Sequence, residues 1–259
     1  MNSEIDEIAG QLLRSEKQRV PIDPLTSSRP ELTASVAYAI QMRMVQRRIE
    51  SGERVAGKKI GLTSLAIQQM LGVFEPDYGH LFHSMWVADG GAVPANSLIQ
   101  PKIEGEIAFV LKDELSGPGV TLDDVLQATE YVSPALEIID SRIRNWEIKL
   151  ADTVADNGSS ALFVLGTQRT APLGLNLSAI EMVLRKNGES AVTGTSAAVM
   201  GNPVASVAWL ANKLSEFGVR LLAKEVILSG SIGKAIDVRA GDSIQADFDG
   251  LGSVRVRFT

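Results

Sequence analysis

The chain has 259 residues, of which 45% are hydrophobic and 22% charged, and its formal net charge at pH 7 is −6. This composition is typical of a folded globular protein with a sizeable core. Because the sequence has no cysteine, disulfides, thiolate metal sites and a cysteine nucleophile are excluded. Acidic and basic residues are interspersed without a basic stripe, so we expect no binding to nucleic acid or to an anionic membrane surface.

The N-terminal segment and the histidine content bear on the cellular location of the protein and on the metal ions that it could bind. Residues 1–7 are acidic and lack the apolar core of a signal peptide, and no apolar run approaches transmembrane length. Together with the lack of cysteine, these features predict a cytoplasmic protein. With only His80 and His83 available, a metal ion would need mainly oxygen ligands, which favours Mg²⁺ or Mn²⁺ over Zn²⁺.

The first 52 residues are expected to be helical. Apolar residues at helical spacing predict helices over residues 3–18 and 33–51, and Gly52 is a typical stop. We expect this N-terminal region to pack on a β-rich catalytic domain over residues 53–259, so that both parts form one structural unit.

A short strand predicted over residues 55–64 carries two adjacent lysines. Lys58 and Lys59 face opposite sides of such a strand, so one of them must point inward if a single face is packed. Residues 52–58 match the start of a phosphate-binding loop. We reject this interpretation, because Lys59 stands where such a loop has a hydroxyl residue and because the segment follows a helix rather than a strand. After a short helix over residues 64–72, residues 73–83 are predicted to form a loop with Asp77 and both histidines solvated.

The strand around residues 102–110 carries two acids where apolar residues are expected. Glu104 and Glu106 lie two apart and therefore share a face. They indicate either an exposed edge face or a buried pair that needs a proton or a hard cation between them. Glu137 is a third acid in an apolar setting, inside a strand predicted over residues 132–140.

The remaining pattern predicts an α+β fold with a helical lead-in and a largely β core. The expected elements are helices over 122–131, 141–152 and 203–217, a polar turn over 153–160, and strands over 161–166, 180–187, 189–193, 226–232 and two within 242–258.

Short motifs spread over nearly the whole chain resemble the 2-oxopent-4-enoate (2-hydroxypenta-2,4-dienoate) hydratases of the fumarylacetoacetate hydrolase superfamily. The motifs are 57–64 (GKKIGLTS), 76–79 (PDYG), 103–109 (IEGEIAF), 134–137 (PALE), 139–142 (IDSR), 152–157 (DTVADN), 201–203 (GNP), 208–211 (AWLA) and 227–231 (ILSGS). No single motif is decisive, but their ordered set is specific. The resemblance implies a mixed β-roll core and a Mg²⁺ or Mn²⁺ ion held by Glu104, Glu106 and Glu137.

The resemblance also implies a reaction and its residues. The enzyme would be a hydro-lyase of aromatic meta-cleavage catabolism that adds water at C4 of a 2-hydroxy-2,4-dienoate to give a 4-hydroxy-2-oxo acid. Lys59 matches the family's active-site lysine, and Asp77 is the candidate for activating water. The candidates for binding the substrate carboxylate or oxo group are four hydroxyl residues, namely Ser159, Ser160, Ser229 and, most favoured, Ser231.

The sequence leaves two alternatives open. The 2-oxo-3-enedioate (4-oxalocrotonate) decarboxylases share the metal site and the lysine, and the discriminator is Asp77, where they tend to carry an aliphatic residue. The chain could instead be a non-catalytic partner subunit, since such hydratases and decarboxylases associate. A homo-oligomer is expected, whereas the length and charge of the substrate tail cannot be read from the sequence.

Overall fold

The computed structural model describes residues 2–64, 68–69 and 72–259. The helix predicted over residues 64–72 falls mainly on residues outside these ranges. The described helices are α1 (Asn2–Gln18), α2 (Leu25–Ser28), α3 (Ala34–Glu50), α4 (Leu122–Ala128), α5 (Leu150–Ala155) and α6 (Pro203–Ser215). None of them is long and apolar enough to cross a membrane.

The strands form two sheets. They are β1 (Val55–Gly61), β2 (Asp77–Phe82), β3 (Trp86–Val87), β4 (Ala92–Val93), β5 (Lys102–Leu111), β6 (Thr129–Ile139), β7 (Ser160–Leu165), β8 (Glu181–Lys186), β9 (Glu189–Thr195), β10 (Val226–Leu228), β11 (Ile236–Asp237), β12 (Ser243–Phe248) and β13 (Gly252–Phe258). The larger sheet has the order β2-β1-β10-β5-β6-β7-β3, with β11 on β5, and the smaller has the order β4-β13-β12-β8-β9. Mixed sheets behind a helical N-terminal part confirm the predicted fold class.

The N-terminal helices join the main core through apolar and polar contacts. Ile8 and Ile40 are buried in the same cluster as Ile107 of β5. The buried Gln41 side chain of α3 donates hydrogen bonds to the carbonyl oxygens of Tyr78 in β2 (2.9 Å) and Val154 in α5 (2.8 Å). These bonds satisfy backbone acceptors that burial would otherwise leave unpaired.

Helix ends follow the capping signals in the sequence. The Thr121 hydroxyl accepts from the Asp124 amide, and the Asp124 carboxylate accepts from the Thr121 amide, which fixes the start of α4. Helix α6 ends at Ser215, two residues before the predicted end at residue 217, and the Phe217 side chain beyond it is 53% exposed.

Several segments differ from the sequence-based expectation: α4 ends at Ala128, three residues before its predicted end, and α5 covers the first part of the turn predicted over residues 153–160. Residues 77–82 form a buried strand rather than a solvated loop, because β2 pairs along its length with β1. The helix predicted over residues 141–152 is wrong as well. Helix α5 starts only at Leu150, and the preceding segment holds a short 3₁₀ turn with Asn145 and Trp146 at positive φ. Its mixed polar and apolar pattern resembles that of an amphipathic helix.

Both lysines of β1 are buried, although only one was expected inside. Lys58 is covered on its face of the sheet and forms an ion pair with Glu225 at 3.0 Å. Lys59 is buried on the other face. The sheet is therefore covered on both sides here, and each buried ammonium has a carboxylate partner, as burial of a charge requires.

The close approach of β2 to the turn at residues 157–159 gives a stability test. A Cβ at Gly79 would lie 2.3 Å from the Asn157 carbonyl oxygen. Gly79→Ala is therefore expected to lower the free energy of unfolding by about 3 kcal/mol in urea titrations. Gly52→Ala is the control, since Gly52 has φ +96° and open space around it, and should cost only about 1 kcal/mol. Equal losses in the two variants would contradict this packing.

Candidate active site

Three carboxylates lie on one inner face of the larger sheet. In the antiparallel pair of β5 and β6, Glu104 stands directly opposite Glu137, and Glu106 follows on the same face opposite Ala135. Glu106 and Glu137 are fully buried and Glu104 is half-buried. The interpretation of Glu104 and Glu106 as an exposed edge face is therefore wrong, because β5 is a central strand between β10 and β6.

Lys59 supplies positive charge to this face. Its Nζ lies 3.4 Å from Oε2 of Glu137. Burial by itself lowers the pKa of the Lys59 ammonium, but the neighbouring carboxylates, Glu137 first and Asp77 next, raise it above its ordinary value. Lys59 is thus a charged ammonium at neutral pH rather than a neutral amine.

Asp77 approaches Lys59 from the first position of β2. It stands opposite Gly61 of β1, and a Cβ at Gly61 would lie 2.2 Å from Asp77 Oδ1 and 3.3 Å from Lys59 Nζ. Glycine at this position therefore permits the approach of the two side chains. Burial raises the pKa of Asp77 against the opposing effects of Lys59 and of the Asp77 and Gly61 backbone amides, and its Oδ1 makes no well-formed hydrogen bond with any described residue.

Burial also raises the pKa of each of the three glutamates. The pKa of Glu137 rises to about 7, with Glu104 adding to the effect of burial and Lys59 opposing it. The pKa of Glu106 lies well above its usual range because Glu137 and Glu104 add repulsion to desolvation, although the Gly230 N–H donates to its Oε2 at 2.7 Å. Crowded carboxylates of this kind favour a bound proton or a bound cation.

The carboxylate face fits a hard divalent cation by its donor chemistry. Within the described part of the chain, no group makes a well-formed hydrogen bond to either Glu137 oxygen. Buried acceptors without donors are costly, and carboxylate oxygens are the ligands that Mg²⁺ prefers. No set of three His, Cys, Asp or Glu side chains in the described ranges is already spaced to enclose an ion, so coordination requires side-chain adjustment.

Lys59 and Asp77 line a cavity of about 130 Å³ together with Glu104, Ser159 and Ser231. The Ser231 hydroxyl donates to the Gly233 carbonyl at 2.5 Å. The Ser159 hydroxyl donates to Asp156 Oδ2 at 3.1 Å, so this hydroxyl helps to hold the turn at residues 157–159. The structure thus brings these two serines together with Lys59, Asp77 and Glu104, whereas Glu106 and Glu137 are buried beneath and do not line the cavity.

The other two candidate serines lie elsewhere. Ser160 lines a different hollow beside Glu16 and Arg142, and Ser229 is fully buried outside the lining of the cavity. Neither hydroxyl has a hydrogen-bond partner among the residues that the structure describes. Ser160 begins β7 directly after the left-handed turn that holds Ser159, so the two neighbouring hydroxyls line different hollows.

A left-handed turn supports Lys59 from the side. Asn157, Gly158 and Ser159 have φ values of 57°, 62° and 52°. A Cβ at Gly158 would lie 3.2 Å from Cδ of Lys59, so this glycine packs directly on the lysine side chain. Successive residues in the left-handed region persist only where their surroundings hold them, and such strain concentrates at functional sites.

A buried ion pair holds this turn, and sequence reasoning gave it no role. Arg142 Nε donates to Asp156 Oδ1 at 2.5 Å, and its Nη1 donates to the Ser160 carbonyl at 2.9 Å. Asn157 completes the support by exchanging side-chain hydrogen bonds with both backbone groups of His80 in β2. These residues fall within or beside motifs of the sequence, but spacing alone did not reveal that the motifs meet.

The apolar residues of the cavity were not predicted from the sequence either. Leu62, Ile139, Trp146 and Ile148 form part of its wall, beside the hydroxyl residues Thr63, Ser64 and Thr153, and these four apolar residues come from three separate segments. No periodicity in the sequence marks them. A larger cavity of about 550 Å³ meets the first at Thr63 and Ser64.

The electrostatic role of Lys59 can be tested through stability. Lys59→Met should lower the unfolding free energy of the metal-free protein by about 3 kcal/mol at pH 8, because it leaves buried carboxylates unpaired. At pH 5 the loss should be smaller, since Glu137, with a pKa of about 7, is then protonated. Urea unfolding at both pH values measures the difference.

Lys58→Met is the matched control for this variant. It removes a buried lysine from the same strand, but one that pairs with Glu225 outside the site. The increase in destabilisation from pH 5 to pH 8 is expected in Lys59→Met alone. The same increase in both variants, or in neither, would contradict the assigned electrostatics.

Comparison with known proteins identifies the family. The model of the fumarylacetoacetate (FAA) hydrolase C-terminal family matches residues 67–259. The chain is 52% identical to a 2-hydroxyhexa-2,4-dienoate hydratase of Comamonas testosteroni, covering 91% of this chain and 90% of that protein. It is 47% identical to a 2-keto-4-pentenoate hydratase of Paraburkholderia xenovorans, covering 98% and 94%.

A solved structure agrees with these relatives over the full length. The 4-oxalocrotonate decarboxylase from Pseudomonas putida G7, complexed with magnesium and adipate, superposes with a TM-score of 0.97 at 39% identity, covering 100% of this chain and 98% of that one. The chain therefore belongs to the 2-keto-4-pentenoate hydratase family within the fumarylacetoacetate hydrolase superfamily.

Proposed function

We propose that the protein is a hydro-lyase that adds water to a 2-hydroxy-2,4-dienoate, giving a 4-hydroxy-2-oxo acid in aromatic meta-cleavage catabolism. The observation that carries the proposal is the charged Lys59 among buried carboxylates, with Asp77 beside it, in a chain whose relatives are named hydratases. Those relatives are 42–52% identical to it.

Glu104, Glu106 and Glu137 are the residues that would hold a Mg²⁺ or Mn²⁺ ion. The related decarboxylase is complexed with magnesium in one solved structure and with calcium in another. When bound, such an ion supplies Lewis-acid polarisation of the substrate carboxylate and 2-oxygen.

Lys59 acts on the enolate charge in this proposal. Its Nζ, which lies 3.4 Å from Glu137 Oε2, would place a positive charge where the 2-oxygen of the substrate becomes negative. Ketonisation adds a proton at C5 and gives the 2-oxo-3-enoate, whose C4 is electrophilic. Ser231 and Ser159 lie in the same cavity and are the hydroxyls that we assign to the substrate head group.

Asp77 activates the water that attacks C4. Its carboxylate has a raised pKa and an oxygen free of hydrogen bonds from the described residues, which suits a general base. It takes a proton from the water as the C4–O bond forms, and a proton added at C3 completes the 4-hydroxy-2-oxo acid. We assign Ser160 and Ser229 no part in these steps, since Ser160 lies in a different hollow beside Arg142 and Ser229 is fully buried.

A decarboxylase is the second candidate, favoured by the full-length match to the 4-oxalocrotonate decarboxylase. Loss of CO₂ from a 2-oxo-3-enedioate would use the same lysine and carboxylates, but it needs no water-activating base. Asp77 therefore favours hydration. A non-catalytic partner subunit is disfavoured by the full set of charged groups, since carboxylates without a function would only destabilise the fold.

Product analysis separates these candidates. With Mg²⁺ present, we expect loss of the ultraviolet absorbance of 2-hydroxypenta-2,4-dienoate and formation of 4-hydroxy-2-oxopentanoate, without CO₂ release from 2-oxohex-3-enedioate. CO₂ release without hydration would favour the decarboxylase. Metal binding without turnover of either compound would favour the non-catalytic partner subunit. Light scattering can then measure whether the protein forms a homo-oligomer or associates with a sister enzyme.

Glu106→Gln tests the carboxylate set. The substitution should weaken Mg²⁺ binding at least ~10-fold in calorimetric titration and reduce turnover below detection, because a neutral amide is a poorer ligand for a hard cation. Glu130→Gln is the control, as it removes an exposed carboxylate from the same strand as Glu137. Normal activity in Glu106→Gln would refute the three-carboxylate site.

Asp77→Asn tests the water-activating role. Hydration should slow by about 10²- to 10⁴-fold, the usual contribution of a general base, while Mg²⁺ affinity stays unchanged. Ketonisation should persist, so the 2-oxo-3-enoate accumulates and is visible in the ultraviolet spectrum. Unchanged hydration in this variant would show that Asp77 is not the base and would remove the argument against the decarboxylase.

A further inference from the structure

Apart from its charged residues, the cavity is lined by apolar side chains and by hydroxyl side chains, and Lys59 is the only cation in its described lining. Ile139 follows Glu137 on β6, and Leu62, Trp146 and Ile148 join it. We call these four residues the tail wall. In the proposed function the carboxylate and 2-oxygen of the substrate lie at the charged groups, so the remaining wall contacts the rest of the molecule.

Trp146 is a fixed part of the tail wall. Its backbone has φ 58° and follows Asn145 at φ 56°, so two successive residues adopt the left-handed region. Its indole Nε1–H donates to the Gln100 carbonyl at 3.0 Å, and the Lys102 ammonium lies 5.6 Å from the ring centroid. These contacts fix the indole ring in place, whereas a mobile side chain could move aside for a larger or charged substrate tail.

The charged residues that line the cavity all belong to the head-group end, namely Lys59, Asp77 and Glu104. Lys102 lies opposite Ile139 in register, but its Nζ pairs with Asp237 at 2.6 Å and it does not line the cavity. The described lining of the adjoining cavity contributes Glu75 and no cation. Residues 65–67 and 70–71, outside the described ranges, carry no charge in the sequence.

We propose that the tail wall makes the protein selective for 2-hydroxydienoates with a short uncharged alkyl tail, against those that end in a second carboxylate. This inference rests on the head-group placement of the proposed function. A distal carboxylate would lose water against the tail wall without gaining a cation, which is costly. One extra methylene is discriminated only weakly, so five- and six-carbon dienoates should both be accepted.

Two saturated 2-oxo acids of equal length test the selectivity without turnover. With Mg²⁺ present, 2-oxohexanoate should bind about 100-fold more tightly than 2-oxohexanedioate in calorimetric titration, because only the latter buries a second carboxylate. Equal affinities, tighter binding of the diacid, or binding of neither acid would overturn the inference.

Two variants locate the effect. Ile148→Lys adds a cation to the tail wall at a half-buried position and should raise the affinity for the diacid about tenfold, with little change for 2-oxohexanoate. Lys102→Met should change neither affinity. Loss of diacid binding in Lys102→Met would show that Lys102 receives the distal carboxylate and would overturn the inference.

Turnover of 2-hydroxypenta-2,4-dienoate, measured in parallel, separates this inference from the proposed function. Selective binding without hydration would refute the function and leave the tail wall assignment intact. Hydration together with unselective binding would support the proposed function and refute the tail wall assignment.

Discussion

Burial of several carboxylates around one ammonium is the constraint on which the rest of the structure depends. Glu104, Glu106, Glu137 and Asp77 all raise the pKa of Lys59, whose own burial would lower it. Such a cluster is costly in a folded protein unless its charges are matched. We therefore regard it as a site kept for chemistry rather than for stability, and as the reason for the unusual backbone around it.

The backbone around the cluster makes this arrangement possible. Gly61 admits Asp77 beside Lys59, and Gly158 packs against the lysine stem within a left-handed turn. The pair of Arg142 and Asp156 anchors that turn from behind. Each device is local, but together they bring β1, β2 and the start of β7 within reach of the carboxylates on β5 and β6.

Much of this fold could be predicted from residue patterns. The helix starts predicted at residues 33 and 122 lie within one residue of the starts of α3 and α4, and the spacing of Glu104 and Glu106 correctly places them on one face. The spacing of the two glutamates could not show whether that face is exposed to solvent, because burial depends on which strands flank β5. It also failed for residues 77–82, where a buried strand carries Asp and His and therefore resembles a loop.

The residues of the site were predicted less evenly than the fold. Lys59, Asp77, Glu104 and Ser231 meet in one cavity, whereas Ser160 and Ser229 do not. Neighbouring hydroxyls in a sequence give no sign of which one faces a cavity, because the turns that carry Ser159 and Ser231 set their directions. The tail wall could not be predicted at all, because Leu62, Ile139 and Trp146 are ordinary apolar residues until the chain brings them together.

The proposed function requires that a divalent cation binds to the carboxylate face. This binding is measured most directly by the thermal unfolding midpoint of chelator-treated protein as MgCl₂ is added, for the wild type and for Glu137→Gln. We expect a saturable rise in the wild type, because ligand binding stabilises the folded state, and a much weaker rise in the variant. Equal responses in both proteins, or no response in the wild type, would show that the carboxylates do not form a cation site.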